Sequence, residues 1–148
     1  MDQFLDGRVL IMHSKHKFYC QHHNSQGVYD ELIKVHLKSE FEMVLKYEDT
    51  DCDTKFKKFK LVLNKHRVER LIAFLDTAGE CDDDYKSEKI VMEDEDTELF
   101  ISNQYCGGAF HHVIEFEDDT RYECVHLSTD DLDLMRHIIK QLNRKMNY

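Results

Sequence analysis

The chain has 148 residues, 41% hydrophobic and 34% charged, with a formal net charge of −10. These are globular values for a chain able to bury roughly two thirds of its unfolded surface, and they exclude a disordered or fibrous protein. No apolar run approaches the ~20 residues that span a bilayer, and Met1–Asp6 lacks the apolar segment of a secretion signal. Cys20, Cys52, Cys81, Cys106 and Cys124 form an odd set without a CxxC pair, which fits a reducing compartment and a cytoplasmic location.

In chain order, Val9–Met12 and Lys17–Cys20 read as a hairpin around Ser14-Lys15. The connection Gln21–Glu40 follows, with Tyr29, Leu32, Ile33, Val35, His36 and Leu37 predicting a short extra helix after Gly27. Phe41–Tyr47 and Phe56–Leu63 read as a second hairpin. Asn64 then caps a helix with Val68, Leu71, Ile72 and Leu75 on one face. Asp76–Lys86, holding Gly79 and Asp82-Asp83-Asp84, reads as an exposed acidic linker.

The second half repeats the order. Lys89–Met92 and Leu99–Ile101 form a hairpin across Glu93–Glu98, and Ser102–Gly108 is a short connection with Gly107-Gly108 as a turn. Ala109–Phe116 and Tyr122–Leu127 follow. Ser128 or Thr129 caps a last helix, with Asp130 and Asp131 in its first turn and Leu132, Met135, Ile138, Ile139 and Leu142 at helical spacing.

Residue correspondence supports a duplication. Val44–Asp49 lies against Val113–Asp118 at a shift of 69, and Leu63-Asn64 with Val68 lies against Leu127-Ser128 with Leu132 at a shift of 64. A four-strand unit with one helix leaves a sheet face bare, and two units can share a core. The expected fold is α+β: two tandem ββββα repeats about a pseudo-twofold, with antiparallel sheets and two helices. The expected organisation is a single domain over 1–148, with repeat 1 at 7–76, an acidic linker at 77–86 and repeat 2 at 87–146.

The order ββββα, twice, resembles the PUR repeat and, more loosely, whirly-type single-strand binders. The resemblance is one of topology and carries no sequence motif. It implies single-stranded DNA or RNA binding on the sheets.

Charge divides the chain. Residues 1–78 hold 13 Lys and Arg against 12 Asp and Glu, whereas residues 79–148 hold 7 against 18. The first expectation is a non-enzymatic binding protein whose acidic second repeat meets a partner with a basic surface, as a nucleic-acid-mimicking inhibitor of viral or phage type would. Its candidate residues are Asp82, Asp83, Asp84, Glu93, Asp94, Glu95, Asp96, Glu117, Asp118 and Asp119. The alternative is a PUR-like single-strand binder using Lys55, Phe56, Lys57, Lys58, Lys60 and Arg67, with Phe59, Leu61 and Leu63 either joining that face or turned to the core.

No catalytic constellation presents itself. His126-Leu127-Ser128 resembles half of the paired His-x-Ser/Thr signature of 2H phosphoesterases, but that chemistry needs two such motifs facing each other, and His36-Leu37-Lys38 lacks the hydroxyl. Ten histidines form local clusters without CxxC or HExxH spacing, so no metal site and no cofactor is predicted. Adjacent His111 and His112 point to opposite sides of a strand. A composite site from Cys20, His22, Cys124 and His126 is the one geometrically open arrangement.

Overall fold

The computed structural model describes residues 15–21, 31–50, 58–91, 97–106 and 108–148. Within them the chain runs β1 His16–Tyr19, β2 Glu31–Ser39, β3 Glu42–Asp49, β4 Lys58–Leu63, α1 Lys65–Glu80, β5 Tyr85–Lys86, β6 Ile90–Val91, β7 Glu98–Cys106, β8 Ala109–Glu117, β9 Tyr122–Leu127 and α2 Thr129–Asn143. The first sheet has the order β1-β2-β3-β4. The second has β5-β7-β8-β9, with β6 also pairing β7. All pairings are antiparallel, so the fold is α+β: a ββββα unit is followed by a second in which the short strands β5 and β6, both paired with β7, together take the place of the first edge strand.

The equivalence of the halves is residue by residue. Asn64 and Ser128 each cap a helix, accepting from the backbone N–H three residues on. The buried faces are Val68, Leu71, Leu75 and Ala78 on α1, and Leu132, Met135, Ile139 and Leu142 on α2, every pair at a shift of 64. Each helix packs on its own unit and also reaches across: α1 touches β7, and α2 touches β2. Where the pseudo-axis passes, equivalent residues meet. The Tyr47 ring lies 5.8 Å from that of Phe116, and Lys140 Nζ lies 2.7 Å from Asp76 Oδ1. Phe59 stacks on Phe116 at 5.7 Å, so three rings close the centre of the core, each pair contributing about 1 kcal/mol beyond its burial.

Three expectations are corrected. Glu31–Ser39, read as part of a connection with a short helix, is a nine-residue strand. Ile33, Val35 and Leu37 alternate onto the core face, and the β-branched pair among them favours the pleat over a helix. Ser102–Cys106, read as a connection, continues β7, because Ser102 and Asn103 find side-chain partners that let polar residues lie buried in a sheet. The linker is shorter than expected. Helix α1 runs through Gly79 to Glu80, and Tyr85–Lys86 is already a strand. Val9–Met12 lies outside the described residues, and β1 pairs with β2. Gly108, at φ +82°, turns β7 into β8, a conformation that only glycine adopts freely.

Candidate nucleic-acid interface

The core face of the first sheet carries Ile33, Val35, Leu37, Met43, Leu45, Tyr47, Phe59, Leu61 and Leu63, all buried. Phe59, Leu61 and Leu63 thus belong to the core. Period-two alternation sends the intervening residues to the outer face. There the register pairs Lys17 with Lys34, Lys34 with Lys46, and Lys46 with Lys60. Four lysines from four strands therefore form one row across the sheet. Its Cα positions span three interstrand gaps, ~14 Å. Lys15, Lys38 and Lys58 sit on the same face, as does Tyr19, which is 42% exposed.

Like charges directly opposite on a sheet destabilise it by a few tenths of a kcal/mol per pair. Glu48 offsets part of that cost, bridging Lys34 Nζ at 2.8 Å and Lys46 Nζ at 3.2 Å. Burial alone would raise the Glu48 pKa, but its hydrogen bonds to the two lysines outweigh burial and hold the carboxyl below its usual range. His36, on the same face, has its pKa lowered first by burial and then by the field of Lys15, Lys46, Lys60 and Lys34. Its Nδ1 is buried and has no hydrogen-bond partner among the described residues.

The sequence-predicted residues distribute unevenly. Lys58 and Lys60 belong to the basic face. Lys55, Phe56 and Lys57 lie outside the described residues. Arg67 stands on α1, on the other side of the sheet, where its Nε donates to the Val91 carbonyl. Lys17, Tyr19, Lys34, Lys46 and Glu48 were missed. Lys34 was hidden by the helical reading of its segment, and the lysine row exists only once the register is known.

Among the described residues the acidic candidates fall into two groups. Asp82, Asp83 and Asp84 are exposed beside the β7–β8 hairpin, with Tyr105 Oη donating to the Asp82 carbonyl at 3.4 Å. Glu117, Asp118 and Asp119 lie at the β8–β9 turn, near the far end of β7, since Glu98 pairs with Glu117 whereas Tyr85 pairs with Asn103. Asp118 is held by Arg121 at 2.7 Å; hydrogen bonds from Arg121 and Thr120 overcome burial and keep its pKa low. Glu93, Asp94, Glu95 and Asp96 lie outside the described residues.

Two buried histidine arrangements complete the second repeat. His112 faces the helices, its Nδ1 2.8 Å from Asn103 Oδ1 and its Nε2 3.1 Å from Thr129 Oγ1. Asn103 Nδ2 donates to the carbonyls of Ala78, Cys81 and Asp83, which tie off the end of α1. Because Nδ2 is the amide's donor side, Oδ1 accepts, and His112 carries its proton on Nδ1. Burial, helped by Arg136 and opposed by Asp133, lowers the His112 pKa. On the opposite side of β8, His111 Nδ1 meets His126 Nδ1 at 3.1 Å. His126 also contacts Cys124 Sγ through Nε2 at 3.6 Å, and its backbone N–H donates to Cys20 Sγ at 3.2 Å. Cys20, Cys81 and Cys124 are not in disulfides, and burial pushes Cys124 up to about 11, away from a nucleophile's range. Of the geometrically open composite, Cys20, Cys124 and His126 come near one another, while His22 lies outside the described residues.

No helix among the described residues is long and apolar enough to cross a membrane. Neither known protein-family models nor characterised proteins match this sequence.

Proposed function

We propose that this protein binds single-stranded nucleic acid on the outer face of its first sheet. The lysine row carries the reading. A sheet that serves only as scaffold gains nothing from three consecutive Lys–Lys cross-strand pairs, whereas a phosphodiester chain laid across the strands meets a cation at each one. Tyr19 offers an exposed ring next to Lys17 on which a base can stack, worth about 1–3 kcal/mol. The net charge of −10 does not forbid this. At physiological ionic strength, charges beyond ~8 Å are largely screened, so phosphates on the row feel the lysines far more than the acids of the second repeat.

The test is fluorescence anisotropy of a labelled single-stranded oligonucleotide across a salt series. With Glu48 neutralising part of the row, the expected slope of log K on log salt is about −2, at roughly −0.7 per phosphate neutralised. Lys17→Glu with Lys60→Glu should abolish binding at low salt without lowering Tm. Absence of wild-type binding at low salt, or a variant that binds as well, refutes the proposal.

A second reading places a protein contact at the acidic hairpin end. Tyr105 is 63% exposed, its ring 5.0 Å from that of Phe110, with Asp82, Asp83 and Asp84 beside it. An aromatic anchor beside carboxylates suits a basic partner, with fast, salt-sensitive association. Replacing the three aspartates by Asn and Tyr105 by Ala should then lose a partner that wild type captures at low salt. Retention of every captured partner removes this reading.

A further inference from the structure

On the single-strand reading proposed above, we infer that His36 is a further phosphate contact of the lysine face and that it takes up a proton when a strand binds there. The imidazole stands on the outer face of β2, opposite Val44 and two residues along the strand from Lys34, a member of the lysine row. Two residues of strand advance ~6.6 Å, so the ring is within side-chain reach of a phosphate held by Lys34. No other histidine among the described residues shares this face. His16 pairs with Val35 on the core side, and the rest belong to the helices or the second sheet.

The surroundings of the ring are cationic in the free protein. Lys15 ahead of β1, Lys34 on β2, Lys46 on β3 and Lys60 on β4 all act on it. Lys17, Lys38 and Lys58 are the further cations of the face, and Tyr19 stands beside Lys17. Both acids there are engaged by lysines: Glu42 lies 4.0 Å from Lys38, and Glu48 bridges Lys34 and Lys46. Burial and the four lysines keep the free ring uncharged at neutral pH. A hydrogen on the buried, unpartnered Nδ1 would be stranded, so the neutral ring carries its proton on Nε2.

A bound phosphate leaves burial as it is and changes the charge around the ring twice. It neutralises the lysines it touches, and it sets a negative charge within a few ångströms of the imidazole. Both changes favour the imidazolium. Between the free and bound pKa values the complex holds one proton more than the separate partners, so affinity rises as pH falls through that window. Glu48, held below the usual carboxylate range by its two lysines, stays ionised there and does not share in the uptake.

The test is fluorescence anisotropy of a labelled oligothymidylate, whose bases do not titrate between about pH 8 and about pH 5.5, where histidine does. At constant ionic strength affinity should rise roughly tenfold across that range, equivalent to one pKa unit gained on binding. At the acidic end the salt slope should steepen by about 0.7, one more phosphate being neutralised. His36→Gln keeps a neutral hydrogen-bonding side chain, and it should lose both effects. His66→Gln on α1 and His137→Gln on α2, remote from the face, should keep both. Circular dichroism establishes that each variant is folded at both ends of the range. Nuclear magnetic resonance of the wild type gives a second readout: the titration midpoint of the His36 ring should move to higher pH when the oligonucleotide is bound. A midpoint that stays or falls, or a folded His36→Gln with the wild-type pH dependence, overturns the inference and leaves the lysine row standing. Absence of wild-type binding at every pH at low salt removes the lysine-row reading, and the inference with it.

Discussion

Replacing Asn103 by Leu removes the amide that joins His112 to the end of α1. The equivalent positions of the first repeat show that the fold itself does not demand polar groups there: Leu37 opposes Met43 where Asn103 opposes His112. In Asn103→Leu the His112 Nδ1–H is left buried without an acceptor, costing about 1–3 kcal/mol, and the Ala78 and Cys81 carbonyls lose a donor. A total of about 3 kcal/mol is expected, equivalent to a Tm decrease of roughly 6–12 °C at this chain length. His112→Met alone strands the Asn103 carbonyl and should cost about 2 kcal/mol. The double variant, which reproduces the first repeat's apolar pair, has no stranded imidazole or amide and should cost about 2–3 kcal/mol, well short of the sum. Urea denaturation of the four proteins yields the coupling, expected at about 2 kcal/mol. If the two costs add within about 0.5 kcal/mol, His112 and Asn103 are not a unit and the network has been misread.

Acidification should act through His112. Its folded pKa lies below the ordinary 6.5, so its contribution to stability is present above that value and is lost as pH falls from about 6.5 towards the folded pKa. The slope for this one group is at most about 1.4 kcal/mol per pH unit, and urea midpoints should lose that part of their pH dependence in His112→Met. Glu48→Gln should free Lys34 and Lys46 for phosphate, strengthen oligonucleotide binding and steepen the salt slope towards about −3; an unchanged slope would remove Glu48 from the interface. Asn64→Ala and Ser128→Ala should each lower stability by about 1 kcal/mol in thermal melts, the similar cost reflecting equivalent caps.

What was legible in the sequence followed from short-range physics. Asn64 and Ser128 announce helices because their side chains close the first turn, and the faces beginning at Val68 and Leu132 recur at helical spacing. The shifts of 69 and 64 survive in the register of β3 with β4 and of β8 with β9. Two things were not legible. Leu32-Ile33 presents an apolar residue to each face of β2, which blurs the period that separates strand from helix. The lysine row and the histidine pair depend on which strands are neighbours. Lys17 and Lys60 are 43 positions apart in the chain, and nothing local to either residue reveals the other.

The contact between Asp76 and Lys140 has a consequence for how the halves choose each other. These are equivalent positions that touch across the pseudo-axis and have come to carry opposite charge. Were a first repeat to pair with another first repeat, Asp76 would face Asp76; two second repeats would set Lys140 against Lys140. The two halves thereby prefer each other to copies of themselves. Fusion in one chain makes the preferred encounter intramolecular, and the charge difference discourages exchange of halves between neighbouring molecules during folding.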